Sequence, residues 1–374
     1  MEKTLTDYFI SLVKIDSESK FEKDTALQLE KDLIELGATV KYDNANVKTG
    51  GNIGNLYAYI EGSVVKDPIL FCSHMDTVKP GIGIKPHIDN GVIKTDGTTI
   101  LGSDDKSGIA EIIWAVKELK EVDEDHAPIE VLFTISEEIG LLGAKYLDYS
   151  MIKSKLGYAL DSHKIGQIVI GAPSQNSMTY IVHGKEAHAG AEPERGVNAI
   201  KIAAEAIAKM NLGRIDDETT CNVGLITGGQ ATNIIPNKVL IEAEARSHNP
   251  EKLDKITNEM SSILTETVNK YKELGLKTSV EINVENEYGS FRIQEDDPLV
   301  KLSEIACNNI DLEPETVVGG GGSDVNIFNA NGLKMAVAGS GMDRVHTVKE
   351  QIKISDLENG AKWVKEVIRE YSKV

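Results

Sequence analysis

Cysteine, long apolar runs and net positive charge are all scarce in this sequence of 374 residues. The three cysteines, Cys72, Cys221 and Cys307, lie far apart and form no Cys-x-x-Cys pair, so neither a disulfide framework nor a thiolate zinc site is indicated. No stretch of about 18 or more uncharged apolar residues is present to span a membrane, and the chain begins with an amphipathic pattern instead of a signal-peptide core. The sequence therefore predicts a soluble, cytoplasmic protein whose metal ligands would come from His, Asp and Glu.

The acidic composition limits the partners that this chain can attract. The formal net charge is −19 and the isoelectric point is near 4.9, so long-range repulsion opposes an encounter with nucleic acid or an anionic membrane surface. With 41% hydrophobic residues, a chain of this length can bury a large core divided over about two domains. We therefore expect no nucleic acid and no membrane among its partners.

The stretch from Phe71 to Thr77 is an apolar strand that ends in a histidine and a carboxylate. Residues i and i+2 of a strand point to the same face, so the side chains of His74 and Asp76 can touch. A metal-bound imidazole usually donates its other N–H to a carboxylate. The motif alone is also explained by a strand end followed by a turn, so the rest of the chain has to decide between the two interpretations.

Two more core strands end in acidic residues. The apolar run Ile129–Ile135 is followed by Glu137 and Glu138, and the run Leu156–Leu160 by Asp161. Adjacent carboxylates at the end of a buried strand are costly to desolvate unless a positive charge meets them. In open α/β sheets the carboxyl edge of the strands is where ligands bind. We expect these side chains to meet His74 there.

Asp104 opens a helix between these strands. The apolar stripe that follows it, from Ile109 to Leu119, has helical spacing. An N-capping aspartate would explain one acidic residue at this place but not a second one with a lysine beside it. We interpret Asp105 and Lys106 as structural, forming a local ion pair.

The pattern of elements changes near residue 173 and changes back near residue 289. Between these points the predicted order is strand, helix, strand, strand, helix, strand, which is the split βαββαβ arrangement of a ferredoxin-like sandwich. We therefore predict an α/β catalytic domain of residues 1–173 and 289–374, interrupted by a lid and dimerisation domain of residues 174–288. His346 lies in the returning part of the catalytic domain.

The collected residues suit a site for two metal ions. The candidate ligands are His74, Asp104, Glu138, Asp161 and His346. Imidazole and carboxylate bind Zn²⁺, Co²⁺ and Mn²⁺, and one carboxylate must bridge the two ions. Two metals about 3.5–4 Å apart can share a hydroxide and polarise a carbonyl, which suits amide hydrolysis. Glu137, on the opposite face of the chain from Glu138, is free to act as the general base.

Six motifs, in this order along the chain, resemble those of the zinc exopeptidase family that includes peptidase T, carboxypeptidase G and the amino-acid deacylases. They are His74-Met75-Asp76, residues 102–108 (Gly-Ser-Asp-Asp-Lys-Ser-Gly), Glu137-Glu138, Asp161, residues 184–190 (Gly-Lys-Glu-Ala-His-Ala-Gly) and His346-Thr347. Residues 95–102, leading into Asp104, look most like peptidase T and its shorter relatives. The resemblance implies a phosphorylase/hydrolase-like mixed sheet with helices on both faces, plus the ferredoxin-like lid.

The resemblance also implies how the ligands are shared. Asp104 would bridge the two metals. His74 and Asp161 would complete one ion, and Glu138 and His346 the other. The expected native metal in such a set is zinc, with cobalt or manganese as alternatives.

Roles for other residues follow from the same resemblance. Asp76 would support the imidazole of His74, and Glu137 would be the general base. His188, in the lid, would help to stabilise the tetrahedral oxyanion, in some relatives from the partner subunit. A histidine at a strand end or in a loop is the alternative interpretation of His188.

Three further positions look like substrate-binding residues. Asn233 precedes Ile234-Ile235-Pro236, and Arg246 ends a lid strand, where its guanidinium could grip a peptide carboxylate. A surface salt bridge is an equally good interpretation of Arg246. Gly322 closes a run of four glycines that lacks the Gly-Lys-Ser/Thr ending of a phosphate-binding loop, so we interpret the run as a loop lining the substrate cleft.

The sequence therefore predicts a dizinc metallopeptidase that removes the N-terminal residue from short peptides, as a tripeptide aminopeptidase of the peptidase T type does. An N-acyl or N-carbamoyl amino acid amidohydrolase is the alternative, because the same metal core serves both reactions. A more remote alternative is an inactive metal-binding protein. The edge of the lid sheet offers a surface for a homodimer.

Overall fold

The computed structural model describes residues 3–373, and the chain in it divides into two compact units. Unit 1 comprises residues up to Gly171, Arg292–Gly319 and Ser323 onward. Unit 2 comprises Ala172–Phe291 and Gly320–Gly322. The bounds predicted from the sequence for the inserted domain were residues 174 and 288. Residues 1, 2 and 374 of the predicted catalytic domain lie outside the described residues.

Ten α-helices and two short 3₁₀-helices are present in the described part of the chain. The α-helices are α1 (Leu5–Val13), α2 (Lys23–Glu35), α3 (Asn46–Thr49), α4 (Ser103–Glu121), α5 (Leu142–Lys145), α6 (Ala199–Ile207), α7 (Pro250–Glu273), α8 (Pro298–Asn309), α9 (Asp324–Ala330) and α10 (Ile354–Lys373). The 3₁₀-helices are Tyr149–Met151 and Pro193–Arg195.

The same residues form nineteen strands. They are β1 (Thr39–Tyr42), β2 (Leu56–Ile60), β3 (Ile69–His74), β4 (His87–Asp89), β5 (Val92–Lys94), β6 (Ile129–Thr134), β7 (Leu156–Ser162), β8 (Gln167–Val169), β9 (Gly171–Ala172), β10 (Ser174–His183), β11 (Gly213–Asp216), β12 (Thr219–Gly228), β13 (Lys238–Ser247), β14 (Ser279–Tyr288), β15 (Phe291–Arg292), β16 (Glu315–Val317), β17 (Lys334–Gly339), β18 (Met342–Asp343) and β19 (Gln351–Lys353).

An eight-stranded mixed sheet forms the centre of unit 1, in the order β1-β2-β6-β3-β7-β17-β8-β16. Strands β6, β3, β7 and β17 run parallel, with Phe71 of β3 opposite both Val131 of β6 and Tyr158 of β7. Every residue of β3 and β6 is buried, which explains why both strands are rich in apolar residues on both faces. Because these strands are parallel and in register, their carboxyl ends lie at one edge of the sheet.

Helix α4 packs against β3 and β7 and against α10. Nearly all of its residues from Ser103 to Val116 are buried, so this helix belongs to the core and does not lie on the surface. A smaller four-stranded sheet, in the order β18-β19-β5-β4, also belongs to unit 1. It joins the loop that follows His346 to the hairpin that precedes α4.

Unit 2 is an antiparallel five-stranded sheet, in the order β11-β12-β13-β10-β14, against which α6 and α7 pack. Strand β10 alternates strictly between buried and half-buried residues, as expected for a sheet with one face on a core. Met178, Tyr180 and Val182 of this strand join the helices in one hydrophobic cluster. The predicted βαββαβ order is present with one addition, the short edge strand β11, which the sequence analysis missed.

The predicted fold class, an α/β domain with a mixed sheet plus an inserted α+β unit, is confirmed. Among the described residues, no helix is both long enough and apolar enough to cross a lipid bilayer.

Candidate metal centre

The structure brings the five predicted ligands together at the carboxyl edge of the large sheet. Three groups of residues could each hold a metal ion, because within each group the ligand atoms all lie within 4.8 Å of one another. They are His74, Asp104 and Asp161; Asp104, Glu138 and His346; and His74, Glu137 and Glu138. The first two groups reproduce the two ligand sets implied by the resemblance, and they share Asp104.

His74 is the last residue of β3 and is only 2% exposed. Its Nε2 lies 3.0 Å from Oδ1 of Asp104, and its backbone N–H donates to Oδ2 of Asp105 at 3.2 Å. Its Nδ1 lies 2.9 Å from the backbone carbonyl oxygen of Asp76 and 3.6 Å from the Asp76 carboxylate. With Nδ1–H donating to that carbonyl, Nε2 is the nitrogen available to a metal.

The carboxylate of Asp104 lies between the two histidines of the cluster. Its Oδ1 faces His74, and its Oδ2 lies 3.3 Å from Nε2 of His346. Asp104 and Asp105 have non-helical backbone angles, and the peptide bond between them is cis, so regular helical geometry in α4 begins at Lys106. The two oxygens of Asp104 point toward two different histidines, one from the first and one from the last segment of unit 1.

The second histidine approaches from the opposite side of the cluster. Nε2 of His346 lies 3.1 Å from Oε1 and Oε2 of Glu138. The Glu138 side chain is only 6% exposed, whereas that of His346 is 53% exposed. The His346 side is thus the part of the centre in unit 1 that solvent reaches.

The carboxylate of Asp76 has a role that the sequence did not reveal. Its Oδ1 accepts a hydrogen bond from the backbone N–H of Glu137 at 2.9 Å. Its Oδ2 accepts hydrogen bonds from the backbone N–H of Glu138 at 3.2 Å and from the hydroxyl of Ser19 at 2.6 Å. Asp76 thus contacts the His74 ring mainly through its backbone carbonyl, while its carboxylate holds the turn that carries the two glutamates.

The predicted ion pair between Asp105 and Lys106 is wrong. The Lys106 ammonium is fully buried and donates to the backbone carbonyl of Ile15 at 2.6 Å. Burial lowers the pKa of Lys106 to about 7, although the charges of Asp16 and Glu350 act in the opposite direction. Asp105 instead accepts the backbone N–H of His74. Adjacent residues on a chain point in different directions, and here their partners come from different segments.

The electrostatics of the cluster fit divalent cations. Burial raises the pKa of the Glu137, Glu138 and Asp161 carboxyls above their usual values. Hydrogen bonds with Asp104 and Glu138 raise the pKa of His346 to about 10. Four acidic groups thus lie against two imidazoles, and apart from the His346 side the site has little access to water, so unbalanced negative charge there is costly. Hard and borderline cations with oxygen and imidazole ligands would balance it.

The other predicted site residues lie in unit 2. Nδ1 of His188 accepts the backbone N–H groups of Gly190 and Ala191 at 3.2 and 3.1 Å. The proton of a neutral His188 ring is therefore on Nε2. Asn233 lies on the segment that pairs with the chain around His188, and its backbone carbonyl oxygen accepts the backbone N–H of Ala189 at 2.9 Å.

Arg246 and Gly322 have contacts within unit 2 that the sequence did not indicate. Arg246 forms a two-point pair with Glu244, Nε to Oε1 at 3.2 Å and Nη2 to Oε2 at 3.0 Å. A Cβ atom at Gly322 would lie 2.2 Å from the Tyr288 ring. Packing against Tyr288 therefore explains the need for glycine at this position.

The matches to known proteins agree with this geometry. The sequence pattern of peptidase family M20/M25/M40 matches residues 70–370. The chain belongs to this family. The predicted identity as a peptide hydrolase related to peptidase T is confirmed.

Two solved structures and one curated relative are similar over almost the whole chain. The aminopeptidase PepT of Bacillus cereus is 43% identical with a TM-score of 0.88, covering 98% of this chain and 97% of that one. A tripeptidase of Staphylococcus aureus is 37% identical with a TM-score of 0.93, covering 99% and 98%. The uncharacterized protein YqjE of Bacillus subtilis is 44% identical over 373 residues, covering 100% of this chain and 99% of that protein.

Proposed function

We propose that this peptidase is a dimetal aminopeptidase that releases the N-terminal residue of short peptides, tripeptides in particular. The observation that carries the proposal is Asp104, whose two oxygens lie 3.0 Å from His74 and 3.3 Å from His346 in two overlapping ligand groups. The similarity to an aminopeptidase and a tripeptidase at 43% and 37% identity supports the choice of substrate.

In this proposal the ligand roles follow the two groups that share Asp104. His74 and Asp161 would hold one ion, Glu138 and His346 would hold the other, and Asp104 would contribute to both. When bound, the pair of ions, zinc in our proposal, would supply Lewis acidity for the substrate carbonyl and lower the pKa of water. Imidazole and carboxylate ligands also accept cobalt and manganese.

Glu137 acts as the general base in the proposed mechanism. The carboxylate of Asp76 accepts the backbone N–H of Glu137 at 2.9 Å, which fixes the backbone from which the Glu137 side chain projects. Burial raises the pKa of the Glu137 carboxyl, while the charge of His74 acts in the opposite direction. A carboxyl group with a raised pKa can take a proton from water and pass it to the leaving amine near neutral pH.

Residues of unit 2 supply the remaining roles. The Nε2–H of His188 donates a hydrogen bond to the developing oxyanion, since backbone N–H groups already occupy its Nδ1. Asn233 and the loop at Gly322 contact the peptide. Arg246, with Glu244 on one side of its guanidinium, offers Nη1 to the peptide carboxylate. We also propose a cytoplasmic homodimer formed through this unit.

A panel of substrates tests the proposal. The protein is purified without chelator, its zinc, cobalt and manganese are quantified, and hydrolysis of tripeptides, dipeptides and N-acetyl or N-carbamoyl amino acids is compared. We expect about two equivalents of metal and the highest kcat/KM on tripeptides with a free amino terminus. A preference for N-acylated amino acids would replace the proposal with the amidohydrolase alternative. Less than about one equivalent of metal would contradict a dimetal site.

A further inference from the structure

Glu350 is a buried glutamate close to the metal centre that the sequence motifs did not single out. It lies four residues after His346, immediately before β19, and is 1% exposed. Its carboxylate accepts four hydrogen bonds from the segment that delivers Asp104. Oε2 accepts the backbone N–H groups of Leu101 and Gly102 at 2.7 and 2.9 Å. Oε1 accepts the Ser103 hydroxyl at 2.7 Å and the backbone N–H of Asp104 at 3.0 Å.

This arrangement uses a carboxylate as an acceptor on both oxygens. All four partners are donors, and each oxygen receives two of them, which matches the acceptor capacity of an ionised carboxyl group. Leu101 and Ser103 are completely buried, so water cannot replace Glu350 as the acceptor. In a glutamine at this position, the NH₂ group would replace one carboxylate oxygen. It would then face two N–H or O–H donors, which would have no acceptor.

The other end of Glu350 is fixed to the segment that carries His346. Its backbone N–H donates to the carbonyl of Thr347 at 3.0 Å, which closes a tight turn just after the histidine. The following strand, β19, pairs with β5, where Ile352 lies opposite Ile93. Glu350 thus joins the two segments whose side chains, Asp104 and His346, meet at 3.3 Å.

We propose that Glu350 is a positioning residue that sets the separation between the bridging carboxylate of Asp104 and the imidazole of His346. The inference rests on the proposed ligand roles of these two residues. Glu350 touches neither the substrate nor the ions in this proposal. It acts by fixing the backbone from which Asp104 projects relative to the turn from which His346 projects. Its loss should weaken most the ion that Asp104, Glu138 and His346 hold together.

The test compares Glu350→Gln with a control that is buried in the same way. Glu130, in β6, is completely buried and accepts hydrogen bonds from the Tyr57 hydroxyl at 2.6 Å and from the backbone N–H groups of Lys153 and Ser154 at 2.8 and 2.9 Å. It lies at the start of its strand, seven residues before Glu137. Glu130→Gln therefore removes a comparable buried acceptor without touching residues 101–104 or 346–350, the two segments that Glu350 joins.

Metal affinity is the decisive measurement. The wild type and both variants, stripped of metal, are titrated with Zn²⁺ by calorimetry or with a competing chelator, and the melting temperature of each apoprotein is recorded. We expect Glu350→Gln to bind the more weakly held ion about 10- to 100-fold less tightly than the wild type. Glu130→Gln should bind both ions as the wild type does, even if its melting temperature falls as much.

Each other result decides between the two proposals. Wild-type affinity in Glu350→Gln, or equal weakening in both variants, would overturn the positioning role and leave the dimetal site intact. A wild type that binds no metal would overturn the proposed function itself. If Glu350→Gln does not fold, Ser103→Ala removes one of the four donors and should weaken the same ion to a smaller extent. Unchanged affinity in Ser103→Ala would then count against the role.

Discussion

The two units differ most clearly in how they treat charge. Among the described residues of unit 1, twelve Asp, Glu, Lys and His side chains are buried: Glu22, Asp32, Asp43, His74, Asp76, Asp104, Asp105, Lys106, Glu111, Glu130, Asp324 and Glu350. Unit 2, every residue of which is described, buries no Asp, Glu, Lys, Arg or His. Its core is a conventional apolar cluster between a sheet and two helices.

This difference shows that the energetic cost of burying charged groups falls on unit 1. A buried charge is destabilising unless hydrogen bonds, an opposite charge or a metal meets it. In unit 1 many of the buried acids accept backbone N–H groups that fix the metal centre, as Asp76, Asp105 and Glu350 do. In unit 2 the charged residues form exposed pairs, such as Glu205 with Lys209 and Lys270. Substitutions in the two units should therefore have unequal effects.

The largest expected effect is on turnover in Glu137→Gln. The amide cannot accept a proton from water, so kcat should fall by about 10²- to 10⁴-fold, while the metal content stays at the wild-type value. Steady-state kinetics and metal analysis check both parts. Glu138→Gln is the matched control, because it removes a proposed ligand and should lose metal.

Two results would contradict the assignment of Glu137. If activity stays within a few-fold of the wild type, Glu137 is not the base. If metal is lost in Glu137→Gln and retained in Glu138→Gln, the group formed by His74, Glu137 and Glu138 is the better description of the ligands.

An intermediate effect is expected on the pH dependence of stability in Glu111→Gln. Neither carboxylate oxygen of Glu111 has a hydrogen-bond partner among the described residues 3–373, and the side chain is completely buried. Burial, with the charges of Asp105 and Asp356, raises the pKa of Glu111 well above its usual value of 4.5. In the unfolded chain the group loses its proton near 4.5, so the wild type should lose stability as the pH rises above that value.

The Glu111→Gln variant removes this titration. We expect it to be more stable than the wild type at pH 8 and to lose that advantage as the pH falls toward 4. Urea unfolding of the two apoproteins across this range provides the free energies. An equal difference at every pH would show that Glu111 is not the titrating group.

The smallest effect is expected for Glu205→Gln in unit 2. Hydrogen bonds from Lys270, Tyr271 and Lys209 lower the pKa of the partly exposed Glu205 carboxyl to about 2. Its contribution to stability is therefore present above the usual carboxyl pKa and is lost as the pH falls toward 2. Because exposed ion pairs are screened by water and salt, the melting temperature at neutral pH should barely change. A large loss of stability in Glu205→Gln would contradict the expectation that substitutions of charged residues have smaller effects in unit 2 than in unit 1.

The sequence was informative about which residues reach the metal centre, for a physical reason. Apolar runs identified β3, β6 and β7 as buried strands, and parallel strands in register end at one edge. His74 ends β3, Asp161 is the next-to-last residue of β7, and Glu138 follows the end of β6. Asp104 was located by the helical stripe that follows it, and its place at the start of α4 agrees with that pattern.

The errors and omissions include one contact between residues far apart in sequence and two local features. Lys106 bonds to Ile15, 91 residues away, and not to its neighbour Asp105. The edge strand β11 has only four residues and little apolar patterning. Arg246 lies beside Glu244 because residues i and i+2 of a strand share a face, a relation that was readable from the sequence but was not used.

The sequence by itself determined the class of fold and the chemical types at the centre, because hydrophobic periodicity and residue chemistry are local properties. Only the tertiary structure decided the anchoring of these residues. The Asp76 carboxylate holds a turn 61 residues away, and Glu350 holds a segment 246 to 249 residues away. Such pairings depend on where the strands and helices pack, which no periodicity within a single segment records.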